Sequence, residues 1–380
     1  MNIKIGAKMQ LDTKNAVDYH YNNFPPNDLD YKRLVTSLLK ATDAIARYDQ
    51  MLKGMHNSEI LLAPLRNQEA VISSRMEGTI STMDEILKYE ADHDDETENA
   101  NVRSEIIETI LYQRALRSAQ KAMEEGYPLS ESLIKTIHQR LLSYGRGATK
   151  SPGQLKNEQN YLADKLKKEI LFIPISSEKL QEGLDILFKY IENSDDPTLI
   201  KIALTHIEFE ALHPFKDGNG RIGRMLITLM LWSSGLITEP HFYISAYFEE
   251  NKNLYIDTMR SVSSTDDWES WCIFFFDAIE KQAIRNILIA EDIQSLYEEM
   301  KDVFSDVLSS KWCISALDFV FTNPVFRNNK FTSTSGIPKA TAARFTRMLL
   351  ERNMIRTIEE ASGRRPALYS FEPLMELVRV

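Results

Sequence analysis

Four side chains able to handle a phosphoryl group crowd into one stretch of this 380-residue chain: His213, Asp217, Arg221 and Arg224, in HPFKDGNGRIGR at residues 213–224. His213 is the one side chain here that can accept a proton near neutral pH. Asp217 is a hard oxygen ligand of the kind that shares Mg²⁺ with substrate phosphates. Gly218 and Gly220 let the backbone fold into a nest of N–H groups, and a helix starting there points its positive dipole end at the same spot. Arg221 and Arg224 stand one helical turn apart, opposite an apolar stripe through Ile222 and Met225, so both can face an anion. A base, a magnesium ligand, an anion nest and two arginines are the components of a transfer reaction at phosphorus. Phe215 reads as the residue that anchors the loop in the core.

Other chemistries fit the stretch less well. Gly218, Gly220 and Gly223 have the spacing of a dinucleotide-binding fingerprint, but that motif must follow a strand in a βαβ unit. Here a helix precedes it, since Ile200, Leu204, Ile207 and Ala211 repeat at helical spacing. The Gly-x-x-x-x-Gly-Lys-Ser/Thr phosphate loop is absent. A plain glycine-bent turn between helices and a zinc site from His206, Glu210 and His213 are the remaining readings. His206 is better explained as a half-buried helix residue.

The loop must be positioned by helices. Thr198–Leu212 leads into it, and Ile222, Met225, Leu226, Leu229 and Met230 form a second stripe that begins inside it and stops at Gly235. Upstream, helical patterns occupy Ser177–Asn193, Ser130–Tyr144 (with Leu133, Ile137 and Leu141 on one face) and Val102–Gly126. Residues 64–77 are expected to form a helix opening with Pro64 and closing at Gly78, and Thr82 with Glu85 to form a capping box. Asn2–Asp28 reads as an extended polar arm before a helix near Tyr31. Arg146–Asn157 is a break, and Gln159–Leu162 resembles part of a β-hairpin. The acidic run at residues 90–99 reads as a solvated loop, not a metal site.

With 43% apolar residues the chain can bury two or three cores. Its apolar runs are too short for a membrane span and Met1–Gln10 lacks a signal peptide's apolar core, so a cytoplasmic location is expected. Two cysteines, Cys272 and Cys313, give neither a disulfide framework nor a zinc ribbon. The net charge of −10 argues against a nucleic-acid coat. Residues 327–365 reverse the sign, with nine Lys/Arg against three Asp/Glu. There Pro338–Asn353 has the pattern of a recognition helix and Ile355–Ser370 that of a wing turned at Ser362-Gly363, suited equally to DNA or to docking against the catalytic domain.

His-x-Phe-x-Asp-Gly-Asn-Gly-Arg-x-x-Arg resembles the signature of Fic-domain proteins, adenylyltransferases acting on protein hydroxyls, at every defined position. Residues 152–162, PGQLKNEQNYL, look like that family's flap hairpin. Residues 243–276, with Tyr255, Trp268 and Trp271, look like the segment closing its adenosine pocket. Leu155 and Lys156 stand where an aromatic residue and an arginine are common, and Ala163-Asp164 replaces a glycine pair, which puts target preference in doubt.

The resemblance implies His213 as general base, Asp217 as Mg²⁺ ligand and Gly218-Asn219-Gly220 as anion hole. Arg221 and Arg224 would hold the phosphates of ATP, Arg224 the γ-phosphate, with Ile222 and Gly223 between them. Asn160, Tyr161, Leu162 and Ala163 of the flap and Tyr255 complete the implied ATP site. Gly220 stands where the related Doc kinases carry lysine, which favours AMP transfer over phosphorylation. Ser73-x-x-x-Glu77-Gly78 looks like the family's inhibitory helix motif, and a carboxylate in a last helical turn seeks a cation, for which Arg224 is the candidate.

The expected protein is therefore mainly α: a Fic-type helical core with a small β-hairpin flap, an N-terminal helical domain and a C-terminal winged helix-turn-helix. The expected boundaries are 1–112, 113–290 and 291–380. Its expected function is transfer of AMP from Mg·ATP to a Ser, Thr or Tyr hydroxyl of a target protein and to itself, restrained by Glu77, with a homodimer possible. The alternative is a DNA-binding regulator whose Fic core senses nucleotide.

Overall fold

The computed structural model of the chain describes residues 2–5, 9–55, 58–93, 103–164 and 168–379. Much of the acidic run, residues 94–99, lies outside them. The fold is mainly helical, with two small sheets. It forms two compact units, residues 1–49 with 114–283 and residues 50–113 with 284–380. This grouping differs from three consecutive stretches, because the helices Tyr31–Gly54, Ser104–Glu124 and Trp268–Leu308 each run from one unit into the other.

In chain order, β1 (Asn2–Ile5), β2 (Met9–Asp12) and β3 (Val17–Asp18) precede α1 (Tyr31–Gly54), α2 (Ser58–Met76), α3 (Met83–Asp92), α4 (Ser104–Glu124) and α5 (Glu131–Leu141). Then come β4 (Leu162–Asp164), β5 (Glu169–Ile173), α6 (Leu180–Asn193), α7 (Thr198–Leu212), α8 (Asn219–Ser233), α9 (Ser245–Glu250), α10 (Lys252–Thr265) and α11 (Trp268–Leu308). The chain ends with α12 (Cys313–Thr322), β6 (Val325–Arg327), α13 (Asn328–Thr334), α14 (Lys339–Glu351), β7 (Arg356–Glu359), β8 (Leu368–Ser370) and α15 (Glu372–Val378).

The first unit is built around α7 and α8. Ile202–Leu212 and Asn219–Leu231 are buried on every side, the behaviour of a helix pair at the centre of a bundle. Helix α6 packs on α7 and α5 on α8. The stripe of α5 is buried, and Ser130 caps its N-terminus. Asn2–Asp28 is more than an extended arm. Its strands join the flap: β5 takes β4 antiparallel and both β2 and β3 parallel, while β1 pairs with β2. Arg260 on α10 ties this sheet down through the carbonyls of Leu171 and Asn15.

In the second unit, Pro64 lies inside α2, which starts six residues earlier, at Ser58. Proline there removes one helical hydrogen bond, a loss outweighed by the burial of Leu62, Leu65, Ala70, Val71 and Ile72. Gly78, at φ +83°, ends that helix as expected, and Thr82 with Glu85 forms the capping box of α3. The elements α12–β6–α13–α14–β7–β8 follow the order of a winged helix-turn-helix, with the antiparallel sheet β6–β8–β7 behind it. Phe319, Phe326, Phe331, Phe345 and Phe371 fill its core.

Candidate active site

The loop between α7 and α8 is shaped by two left-handed residues. His213 ends α7 at φ 46°, donating its N–H to the carbonyl of Phe209. Gly218, at φ 78°, is the N-cap of α8 and supplies no side-chain cap. The first backbone N–H groups of α8 therefore have neither an intrahelical acceptor nor a capping side chain, which is the condition for anion binding at a helix start. Asn219 contributes only its backbone to that nest. Its side-chain carbonyl accepts from the N–H of Phe215 and its amide donates to the Phe215 carbonyl, each at 2.8 Å.

Two histidines outside the motif hold the loop at its ends. His138 on α5 stacks on Phe215, ring centroids 3.8 Å apart. Its Nε2 donates to the carbonyl of Asp217 at 3.0 Å while Nδ1 accepts from the N–H of Gly153 at 2.8 Å. Both contacts require the neutral ring, and burial lowers its pKa to about 4. His206 on α7 donates from Nδ1 to the carbonyl of Gly223 and accepts from the Tyr255 hydroxyl. It is fully buried rather than half-buried, and burial lowers its pKa to about 3. With both ring nitrogens engaged it is no zinc ligand, and among the described residues no group of three His, Cys, Asp or Glu could hold a metal. A Cβ at Gly223 would fall against Glu210 Oε1, so any larger residue there would have to displace the Glu210 carboxylate.

The flap contributes a third brace. Its strands are β4 and β5, so the hairpin begins where the expected 152–162 segment ends. Residues 152–161 form a loop laid against residues 212–215. The Lys156 N–H donates to the Pro214 carbonyl, and its ammonium donates to the Leu212 carbonyl and to the Asn160 side chain. The Asn160 amide in turn donates to the carbonyls of His213 and Phe215, each at 3.0 Å. Asn160 thus grips the backbone on both sides of Pro214. Tyr161, Leu162 and Ala163 follow it half-buried along the edge of the flap.

Lys156 is 3% exposed, and burial lowers its pKa from 10.5 to about 7. Between those values the unfolded chain holds a proton that the folded chain has released, so this residue makes stability rise with pH across that window. Denaturant unfolding of wild type and Lys156→Met between pH 6 and pH 10 is expected to show that rise in wild type and its loss in the variant. Parallel curves would contradict it.

The arginines are more deeply placed than a one-sided stripe predicts, because α8 has no solvent face: Arg221 is 3% and Arg224 2% exposed. Arg221 Nη2 lies 3.5 Å from Asp217 Oδ1, whereas its buried Nε and Nη1 have no hydrogen-bond partner among the described residues. A buried guanidinium with unmatched N–H groups is costly, and an anion entering the loop would satisfy it. Tyr255, Trp268 and Trp271 are all buried. Tyr255 and Trp271 pack with Phe248, Phe274 and His206, and the Trp271 indole N–H donates to the Ala203 carbonyl. Tyr255 reaches the loop through His206 and the carbonyl of Gly223.

The signal for His138 was present in the sequence. With Ile134, Ile137 and Leu141 it occupies one buried stripe, and a polar residue on such a stripe needs a partner. Lys156 carries no comparable signal, since the loop carbonyl its ammonium reaches, that of Leu212, lies 56 residues away.

Family profiles match twice. The Fic/DOC family N-terminal profile matches residues 35–121, and the Fic/DOC family profile matches residues 128–231, which include all but the last two residues of α8 and the whole of the loop. The chain is a Fic/DOC family member. The Fic chain is 24% identical over 172 residues to a probable protein adenylyltransferase of Aquifex aeolicus, a stretch covering 44% of this chain and 48% of that protein. It is 30% identical over 105 residues to the protein adenylyltransferase fic-1 of Caenorhabditis elegans, covering 27% and 19% of the two chains. The matched stretches thus span half or less of those relatives.

Among solved structures, a Fic family protein of Desulfovibrio desulfuricans aligns with a TM-score of 0.55 at 17% identity, over 91% of this chain and 98% of that one. A Fic domain containing signaling protein of Bacteroides thetaiotaomicron gives 0.52 at 19% identity, over 66% and 95%. These likenesses establish the Fic fold.

Proposed function

We propose that this chain is a protein adenylyltransferase that moves AMP from ATP to a Ser, Thr or Tyr hydroxyl of a target protein and to itself. The observation that carries the reading is Arg221, buried beside the uncapped start of α8 with two nitrogens that have no hydrogen-bond partner among the described residues, one helical turn from Asp217 and eight residues from His213. The names of the relatives in Aquifex aeolicus and Caenorhabditis elegans support it.

In this reading His213 takes the proton of the target hydroxyl as its oxygen forms a bond to the α-phosphorus. The bond from that phosphorus to the oxygen bridging to the β-phosphate breaks, and pyrophosphate leaves. The N–H groups of Asn219 and Gly220, joined by that of Gly218 once it gives up Asp217 Oδ1, receive the phosphate charge, with Arg221 and Arg224 matched to the remaining phosphates. Asn160 and Lys156 fix the backbone of His213, so that its imidazole meets the hydroxyl in one orientation. Tyr161, Leu162 and Ala163 border the place of the target segment, and Tyr255 supports Gly223 through His206.

Asp217 fits magnesium. Its carboxylate is half-buried at the mouth of the nest, and a single hard oxygen donor there suits an ion shared with substrate phosphates. When bound there the ion would neutralise charge on the phosphates.

Autoinhibition belongs to the same proposal. Ser73 is buried in α2, and Glu77 is exposed just past its end. Their spacing before Gly78 supports the inhibitory role that the resemblance gives them.

Asp217→Ala tests the reading through the nucleotide. Transfer of an α-phosphate tag should fall at least tenfold, and the ATP affinity measured in magnesium should fall with it. Labelling that needs neither Asp217 nor magnesium would overturn the assignment.

A further inference from the structure

We propose that the exposed face of α14 and the adjoining wing bind the phosphate backbone of duplex DNA, with α14 entering the major groove. The face is laid out along one side of the helix. Lys339, Ala340, Ala343, Arg344 and Arg347 are exposed at i, i+1, i+4, i+5 and i+8, while Ala342, Phe345, Thr346 and Leu349 are buried beneath. The two alanines leave the middle of the face shallow, so the helix axis can approach a groove closely while the longer cations flank it.

Ion pairing separates this face from the base of the wing. Arg327 and Arg365 belong to the basic stretch by sequence but are occupied: Arg327 donates to Asp92 and Glu359, and Arg365 to Asp92. They lock the base of the wing onto α3. Lys339, Arg344 and Arg347 make no ion pair among the described residues, and neither does Arg364 at the wing turn beside Gly363. Four exposed, unneutralised cations on a helix and an adjacent turn stand out in a chain of net charge −10. An overall acidic protein gains nothing in DNA binding from its net field, so the attraction must be local to these residues.

A spread of cations on a helix and its wing matches the two backbones flanking a groove, which is why a duplex is the partner of choice over a single strand. Phosphate contacts give affinity without reading sequence, and Ala340 and Ala343 offer no hydrogen bonds to base edges. Binding is therefore expected to be salt-sensitive and weakly sequence-selective.

The test is fluorescence anisotropy of a labelled 30-base-pair random duplex against the full chain, across a salt series from 50 to 200 mM. Binding is expected at the low-salt end, tighter for the duplex than for its single strand. Arg344→Ala with Arg347→Ala should weaken it at least tenfold and flatten the slope of log K against log salt by about two, the number of phosphate contacts removed. The control Lys40→Ala with Arg47→Ala makes the same charge change on exposed residues of α1 and should leave slope and affinity unchanged. No binding at 50 mM salt would overturn the proposal. So would equal losses in the two double variants, or tighter binding of the single strand; the first result would leave the face to a protein partner.

Discussion

His213→Ala is expected to abolish AMP transfer, with a loss on the order of 10²–10⁴-fold, while ATP still binds. The two effects separate because of where the residue sits. His213 closes α7 with a left-handed backbone, and its carbonyl is gripped by Asn160. The anion nest belongs to the start of α8, held independently by the Asn219 side chain and by His138 on the Asp217 carbonyl. Truncating the imidazole removes a proton acceptor and leaves those braces intact. The alanine substitution also meets a left-handed φ of 46°, a strain of order 1 kcal/mol that histidine tolerates better, so the melting temperature must be recorded alongside. Initial transfer rates and ATP affinity on one preparation decide the matter. Unchanged transfer would remove His213 from the chemistry, and lost ATP binding would move it into the nucleotide site.

Glu77→Gly is expected to act in the other direction, raising self-labelling and target labelling tenfold or more, which corresponds to removing about 1.4 kcal/mol of penalty on productive ATP binding. The carboxylate lies just past the end of α2, where the helix dipole disfavours negative charge and a cation partner is sought. If inhibition works by denying Arg224 to the γ-phosphate, then ATP binds with its α-phosphorus misaligned for in-line attack until the carboxylate is gone. Adding Arg224→Ala to Glu77→Gly should then cancel the gain, a non-additivity readable from four rates at matched ATP and magnesium. A Glu77→Gly rate no higher than wild type would return this residue to an ordinary surface glutamate.

Features fixed by neighbours in sequence were legible without coordinates. The end of α7 at Leu212, the left-handed Gly218 and the Thr82–Glu85 box all follow from residues within one turn of each other. Pro64 misleads because a proline at the first helical position and one inside a well-buried helix look alike locally. What separates them is tertiary burial of the residues flanking the proline, Leu62 and Leu65. The strands within Asn2–Asp28 were hidden for a similar reason. Their partner β5 lies some 150 residues on, and short polar strands carry no alternation of their own.

The site itself was half visible. The motif places the base, the carboxylate and the arginines, but the supports at His138, His206 and Lys156 come from a neighbouring helix, from the preceding helix and from the flap. The apolar stripe of α8 suggested one buried face. Burial on all sides, which leaves Arg221 with unpartnered N–H groups, depends on how many elements pack around it.

By the proposed mechanism AMP, rather than phosphate, leaves ATP for a protein hydroxyl. This is tested most directly by incubating Glu77→Gly with ATP labelled either at the α- or at the γ-phosphate, in magnesium, and reading covalent label on the denatured protein. AMP transfer predicts label from the α-phosphate only, abolished by adding His213→Ala. Label from the γ-phosphate, or nucleotide that binds and leaves no covalent trace from either position, would contradict it.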